Sequence, residues 1–80
     1  MSTNQKKLLA LKNERAALND RINDVIFSLG SEEIKKLSKR EVLDLNEQLS
    51  YMKSYSWVLH KRIMFIEQPG VHHTEGVVNE

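Results

Sequence analysis

Few residues in this 80-residue chain could do chemistry, and they fall in two groups. Lys61 and Arg62 stand beside Tyr55, Trp57 and Val58. Cations next to aromatic faces can hold a nucleotide, because a base stacks on a ring while a guanidinium forks onto phosphate oxygens. The same residues also suit a helix interface with a surface arginine. The second group is Lys35, Lys36, Lys39 and Arg40, four cations within six residues that could attract phosphates. Glu32, Glu33 and Glu41 weaken that field, and a solvated helix tip is the other account of them.

Groups that could cut or form bonds are harder to find. The chain has no cysteine, which removes disulfides, thiolate catalysis and zinc ribbons. His72 and His73 are adjacent, so their side chains point in different directions, and no carboxylate or cysteine stands at ligand spacing on a helix. They read as tail histidines, with a pH switch as the functional alternative. His60 reads as a surface or interface residue. There is no Gly-rich phosphate loop and no nucleophile elbow. A carboxylate pair would need a defended cleft that a small helical chain lacks. The expectation is a protein that is not an enzyme and carries neither metal nor cofactor. A formal net charge of +1 argues against a binder of nucleic acid polymers. The polar start Met1–Lys7 is followed by no apolar run that would make a signal peptide or membrane span.

The elements that would position these residues are helical. Leu8, Leu11, Arg15, Leu18, Ile22, Val25 and Leu29 follow a 3-4 spacing, the seam of a helix packed in coiled-coil fashion, broken only by Arg15. This predicts a helix over 4–29, capped by Ser2 or Thr3 and ended by Gly30 in a left-handed cap. Val42, Leu45, Leu49, Met52, Ser56, Leu59, Ile63 and Ile66 repeat the spacing, broken only by Ser56. This predicts a second helix over 39–66, opened by a capping box from Ser38 to Glu41 and closed by Pro69-Gly70. Residues 31–37 read as one extra turn at the tip, covered by Ile34 and Leu37. The fold class is all-α, an antiparallel two-helix hairpin over 1–66. Arg15 either snorkels or pairs with a carboxylate such as Asp44 or Glu47, or else sets register or binds an anion. Residues 67–80 hold three acids and no Lys or Arg, against +4 over 1–66, and read as a flexible acidic tail.

One hairpin leaves large residues with nowhere to go: Leu9, Phe27, Tyr51, Trp57, Val58 and Phe65, with Tyr55 beside them. Tyr51, Tyr55, Val58, Arg62 and Phe65 form a second stripe on the last helix, offset from the seam. Apolar surface of this kind marks an interface, so the hairpin is expected to assemble into a homo-oligomeric helical bundle.

Leu37-Ser38, Leu43, Gln48-Leu49, Met52, Tyr55, Leu59 and Arg62-Ile63, preceded by the helical stretch from Glu14 to Ile22, carry a resemblance. Over about residues 8–66 the chain resembles small phage-encoded helical-hairpin proteins, related to one from a crAss-like phage. The hairpin is shared by phage sponges that counter the CBASS and Thoeris defences. The resemblance implies a homo-oligomer, commonly a hexamer, that binds cyclic oligonucleotides or cyclic ADP-ribose isomers without cleaving them, in pockets between protomers. It implies action in the cytoplasm of the infected bacterium, away from membranes. Arg62, Tyr55, Lys61, Gln48, Lys39 and Arg40 become the candidate ligand residues. Leu9, Phe27, Tyr51, Trp57, Val58 and Phe65 become the candidate oligomer interface. Residues 1–7 hold no aromatic, unlike the short N-terminal helix of the dinucleotide sponges. The alternative is a hairpin that docks on a host protein through its aromatic face.

Overall fold

The structure, a computed structural model, describes residues 2–68. Helix α1 spans Thr3–Leu29, a single 3-10 turn spans Glu32–Lys36, and helix α2 spans Lys39–Glu67. Among the described residues there is no strand. The helices run antiparallel, so that Lys12 meets Glu67 at one end and the 3-10 turn closes the other. His72, His73, Pro69-Gly70 and most of the proposed tail lie outside the described residues.

Both helices begin with the same device. Ser2 accepts the Gln5 N–H at 3.1 Å while Gln5 accepts the Ser2 N–H at 2.8 Å. Ser38 accepts the Glu41 N–H at 3.1 Å while Glu41 accepts the Ser38 N–H at 2.8 Å. Each box satisfies two backbone donors that a helix start leaves unpaired. The end of α1 differs from expectation. Gly30 sits at φ −97°, outside the left-handed region, and its N–H returns to the Ile26 and Phe27 carbonyls. No reversal is needed there, because the chain runs on into the 3-10 turn. Ser31 fixes that turn by accepting the Glu33 N–H and donating to the Ser28 carbonyl. The second helix takes in Glu67, which the sequence pattern assigns to the tail, and the Lys12–Glu67 ion pair at 2.7 Å holds it against α1.

Every residue of the two seams is buried or half-buried. The fully enclosed part is small. Leu11, Leu59 and Ile63 form a cluster flanked by Leu8, Leu18 and Ile66, and Leu59 alone is 0% exposed. Ile34 and Leu37 half-bury themselves at the tip, as their positions predict. Outside the seams Phe27 is 76% exposed and Tyr51 68%. The hairpin exposes 5967 Å², against roughly 5,000 Å² for a globular chain of 80 residues.

The two capping boxes differ in acid. The Ser38 backbone N–H, with a smaller contribution from the Ser38 side chain, holds the Glu41 carboxyl below the usual carboxylate range. The stability this adds is present above the ordinary carboxylate pKa and is lost as pH falls through the depressed value. Gln5 cannot titrate. Helix content followed by circular dichroism from about pH 6 to about pH 2 is therefore expected to show an acid-sensitive component that Glu41→Gln removes. An unchanged acid profile in that variant would count against the box.

Candidate functional site

Seen down its axis, the hairpin has two long flanks. One carries the α2 stripe of Tyr51, Tyr55, Val58, Arg62 and Phe65. A shallow trough of about 490 Å³ runs along its first half, lined by Asp44, Gln48, Tyr51 and Tyr55. The Tyr55 hydroxyl donates to Glu14, which pins the ring against the edge of α1. Gln48 spends its amide on the Met52 sulfur at 3.7 Å. Arg62 is exposed and has no ion pair or hydrogen bond among the described residues.

The other flank carries Trp57, His60 and Lys61. Trp57 and His60 are stacked, with ring centroids 5.3 Å apart and planes at 26°, and the Lys61 ammonium lies 5.9 Å from the Trp57 ring centroid. His60 also borders a groove of about 380 Å³ between the helices, with Lys12, Arg15, Asn19, Met64 and Glu67 among its lining. The structure therefore separates residues that are adjacent in sequence. One residue turns a helix by 100°, so Arg62 joins Tyr55 while Lys61 joins Trp57. Of the expected interface residues, Tyr51, Val58 and Phe65 share the first flank and Trp57 is on the second. Leu9 and Phe27, both exposed, fall on the outer side of α1, away from the seam.

The tip cations stand apart from both flanks. Lys35 pairs with Glu32 at 2.9 Å, Lys36 with Glu33 at 3.4 Å, and Arg40 with Asp44 at 3.3 Å, which leaves Lys39 with no partner among the described residues. At 1.5 Å per residue, Arg40 is about 33 Å from Arg62 along α2. Within one chain, Lys39 and Arg40 cannot share a small ligand with Tyr55 or Arg62.

The two polar interruptions of the seams meet. Ser56, which is buried, accepts from Arg15 Nε at 3.3 Å and donates to Asn19 Oδ1 at 2.7 Å. Arg15 thus meets a hydroxyl rather than the carboxylate of Asp44 or Glu47. Asp44 is held by Arg40 and lies about 18 Å from Ser56 along the helix. The spacing carries a signal, since Arg15 and Ser56 are the polar breaks of the two seams and stand 19 and 22 residues from Ile34 at the middle of the tip. Arg15 is half-buried and commits only its Nε, so both terminal amino groups of the guanidinium lack an acceptor among the described residues. The same residues contain no group of three or more His, Cys, Asp or Glu that could hold a metal, and no helix long and apolar enough to cross a membrane.

A family model described as Sequestin matches residues 5–65, the hairpin but for its outermost residues. The chain belongs to the Sequestin family. The family name implies sequestration, a binding role rather than a catalytic one. Over 77 residues the chain is also 43% identical to the serine–tRNA ligase of Borrelia recurrentis (strain A1). That match covers 90% of this chain and 18% of the ligase, so the chain spans under a fifth of the relative's length. No solved structure matches.

The polar layer of this Sequestin-family hairpin separates two kinds of variant. Ser56→Ala strands the Asn19 acceptor and the Arg15 donor, and is expected to cost about 1–3 kcal/mol in urea unfolding. Arg15→Leu completes the apolar seam and leaves Ser56 bonded to Asn19, so it is expected to be neutral or stabilising. The reverse order of stabilities would contradict the layer.

Proposed function

We propose that the protein is a phage anti-defence sponge that captures a cyclic nucleotide immune signal, a cyclic oligonucleotide or cyclic ADP-ribose isomer, and holds it intact in the cytoplasm of the infected bacterium. Membership of the Sequestin family supports the binding role. The observation that carries the ligand class is Arg15. A half-buried guanidinium with two unspent amino groups, on a groove whose lining carboxylate, Glu67, is paired with Lys12, suits a phosphate. Trp57, through His60, continues the same flank with a ring on which a base stacks, and Lys61 adds a cation beside it.

The groove is open and spans only part of what a cyclic nucleotide needs. Small-molecule sites bury about 70–90% of their ligand, and two helices cannot wrap one to that extent. A neighbouring hairpin of a homo-oligomer, a hexamer by the resemblance, supplies the opposite wall. Arg62, Tyr55, Gln48, Lys39 and Arg40 enter such a pocket only from another protomer, since the chain's own copies point elsewhere or lie at the tip. Sequestration needs no bond to break, so a flank with cations, aromatic faces and amides suffices. The alternative, a hairpin docked on a host protein, draws on the exposed aromatic stripe and predicts indifference to nucleotides.

Isothermal titration with cyclic dinucleotides, cyclic trinucleotides and cyclic ADP-ribose isomers tests this. One class is expected to bind at a defined ratio and to be recovered unchanged after heating the complex. Arg15→Leu, a stable variant, is expected to lose roughly ten- to hundredfold in affinity, the value of charge-assisted hydrogen bonds. Trp57→Ala is expected to weaken binding as well. Capture by Arg15→Leu at full affinity would remove the groove from the account.

A further inference from the structure

The Arg15–Ser56–Asn19 layer has a direction. A guanidinium can only donate, so the Ser56 oxygen accepts from Arg15 Nε and keeps its one proton to give. That proton goes to Asn19 Oδ1 at 2.7 Å, the length of an O–H···O bond rather than of an amide N–H···O bond. The carboxamide is thereby fixed end for end. Its oxygen is spent on Ser56, and its NH2 group is the end left over. That NH2, like the two terminal amino groups of Arg15, has no acceptor among the described residues.

Arg15 and Asn19 stand four residues apart on α1, so they share one face, with Cβ atoms about 5–6 Å apart. Both are half-buried and both line the groove of about 380 Å³. Ser56 is buried behind them and does not line it. The pair therefore meets the groove as N–H groups alone, with one positive charge among them. The lining carboxylate, Glu67, is about 16 Å from Ser56 along α2 and is held by Lys12 at 2.7 Å.

We propose that Arg15 and Asn19 form a cradle for a single phosphate group, and that Ser56, which does not touch the ligand, is the positioning residue that aims them both. The cradle rests on the reading of this groove as the ligand site, and deepens it by naming the part of the ligand that enters and the second side chain that receives it. The charged oxygens of a phosphodiester or diphosphate only accept at neutral pH, so a donor-only set with a positive charge matches them. A base edge mixes donors with acceptors and matches such a set less well.

Side-chain amide NMR of the full chain, titrated with inorganic pyrophosphate in low salt, tests the cradle. The Asn19 Nδ2 and Arg15 Nη signals are expected to shift together along one saturation curve. Asn19→Asp separates a binding role from a structural one. It keeps the shape and the oxygen that accepts from Ser56, and changes only the groove-facing end from donor to acceptor. It is expected to lose about tenfold or more in pyrophosphate affinity at unchanged helix content. Asn19→Ala, which adds no charge, is expected to lose about three- to tenfold. Ser56→Ala, compared at a temperature where its helix content equals that of the natural protein, is expected to lose about as much and to uncouple the Asn19 signal from the titration. Asn19 signals that stay unmoved, or full affinity in Asn19→Asp and Asn19→Ala, would overturn the cradle. The sponge reading fails or stands separately. Cyclic nucleotides captured at full affinity by Asn19→Ala would leave the sponge standing and overturn the cradle. A cradle that takes pyrophosphate in a protein that captures no cyclic nucleotide would stand, and only the ligand class would fall.

Discussion

Ser56 accepts a hydrogen bond from Arg15 and donates one to Asn19, and the register of the hairpin turns on that layer. Leucines and isoleucines along a seam are nearly interchangeable, so apolar packing alone would tolerate a slip of one heptad. A slip here would move Ser56 away from both partners and leave polar groups buried among apolar ones. Fixing Arg15 opposite Ser56 also fixes what lies beside them. Lys12 reaches Glu67, Tyr55 reaches Glu14, and the 3-10 turn falls at the midpoint between the seams. The groove that exposes the spare face of the guanidinium follows from the same register.

The second constraint is one of area. A two-helix hairpin buries a single stripe per helix, and here only Leu11, Ile22, Leu59 and Ile63 are buried hydrophobics among the described residues. Two flanks and the outer side of α1 remain. They differ in chemistry: one is a tyrosine-rich stripe with opposite charges at its ends, the other a groove with cations, an amide and a paired carboxylate, and an indole stacked on the histidine at its border. In the proposed sponge the second is the side offered to an anionic ligand with rings. A protein of this size can hold a nucleotide only by dividing its surface in this manner, because it has no interior to spare.

Much of the hairpin was legible in the sequence because its determinants are local. The 3-4 spacing, the Ser38–Glu41 box and the covering of the tip by Ile34 and Leu37 each depend on residues within a turn or two of one another. At the tip, Glu32 and Glu33 do take up Lys35 and Lys36, while Arg40 takes Asp44, which the charge pattern alone offers to Arg15. What local patterns did not convey was register across the hairpin. The sequence leaves Arg15 open to snorkelling, a carboxylate, register-setting or an anion, and only the pairing of the helices shows that Ser56 is its neighbour. Gly30 invited a left-handed cap by composition, but the direction in which the chain leaves α1 decides that angle. Lys61 and Arg62 look like one basic site when written side by side and become two when wound on a helix. The ligand pocket is the least legible part, since in the proposed sponge the walls that complete it come from other protomers.

Membership of the Sequestin family and the groove chemistry converge on a protein that holds a signal rather than transforms it. Such a role requires a ligand that leaves as it arrived, and in the proposed sponge the site is complete only in the assembled state. The most direct test is native mass spectrometry of the unmodified protein mixed with cyclic di- and trinucleotides and cyclic ADP-ribose isomers. It reports the assembly and the bound mass in one spectrum. The account predicts an oligomer that gains a fixed number of intact ligands of one class. An oligomer that gains none, or a ligand released with altered mass, would contradict it.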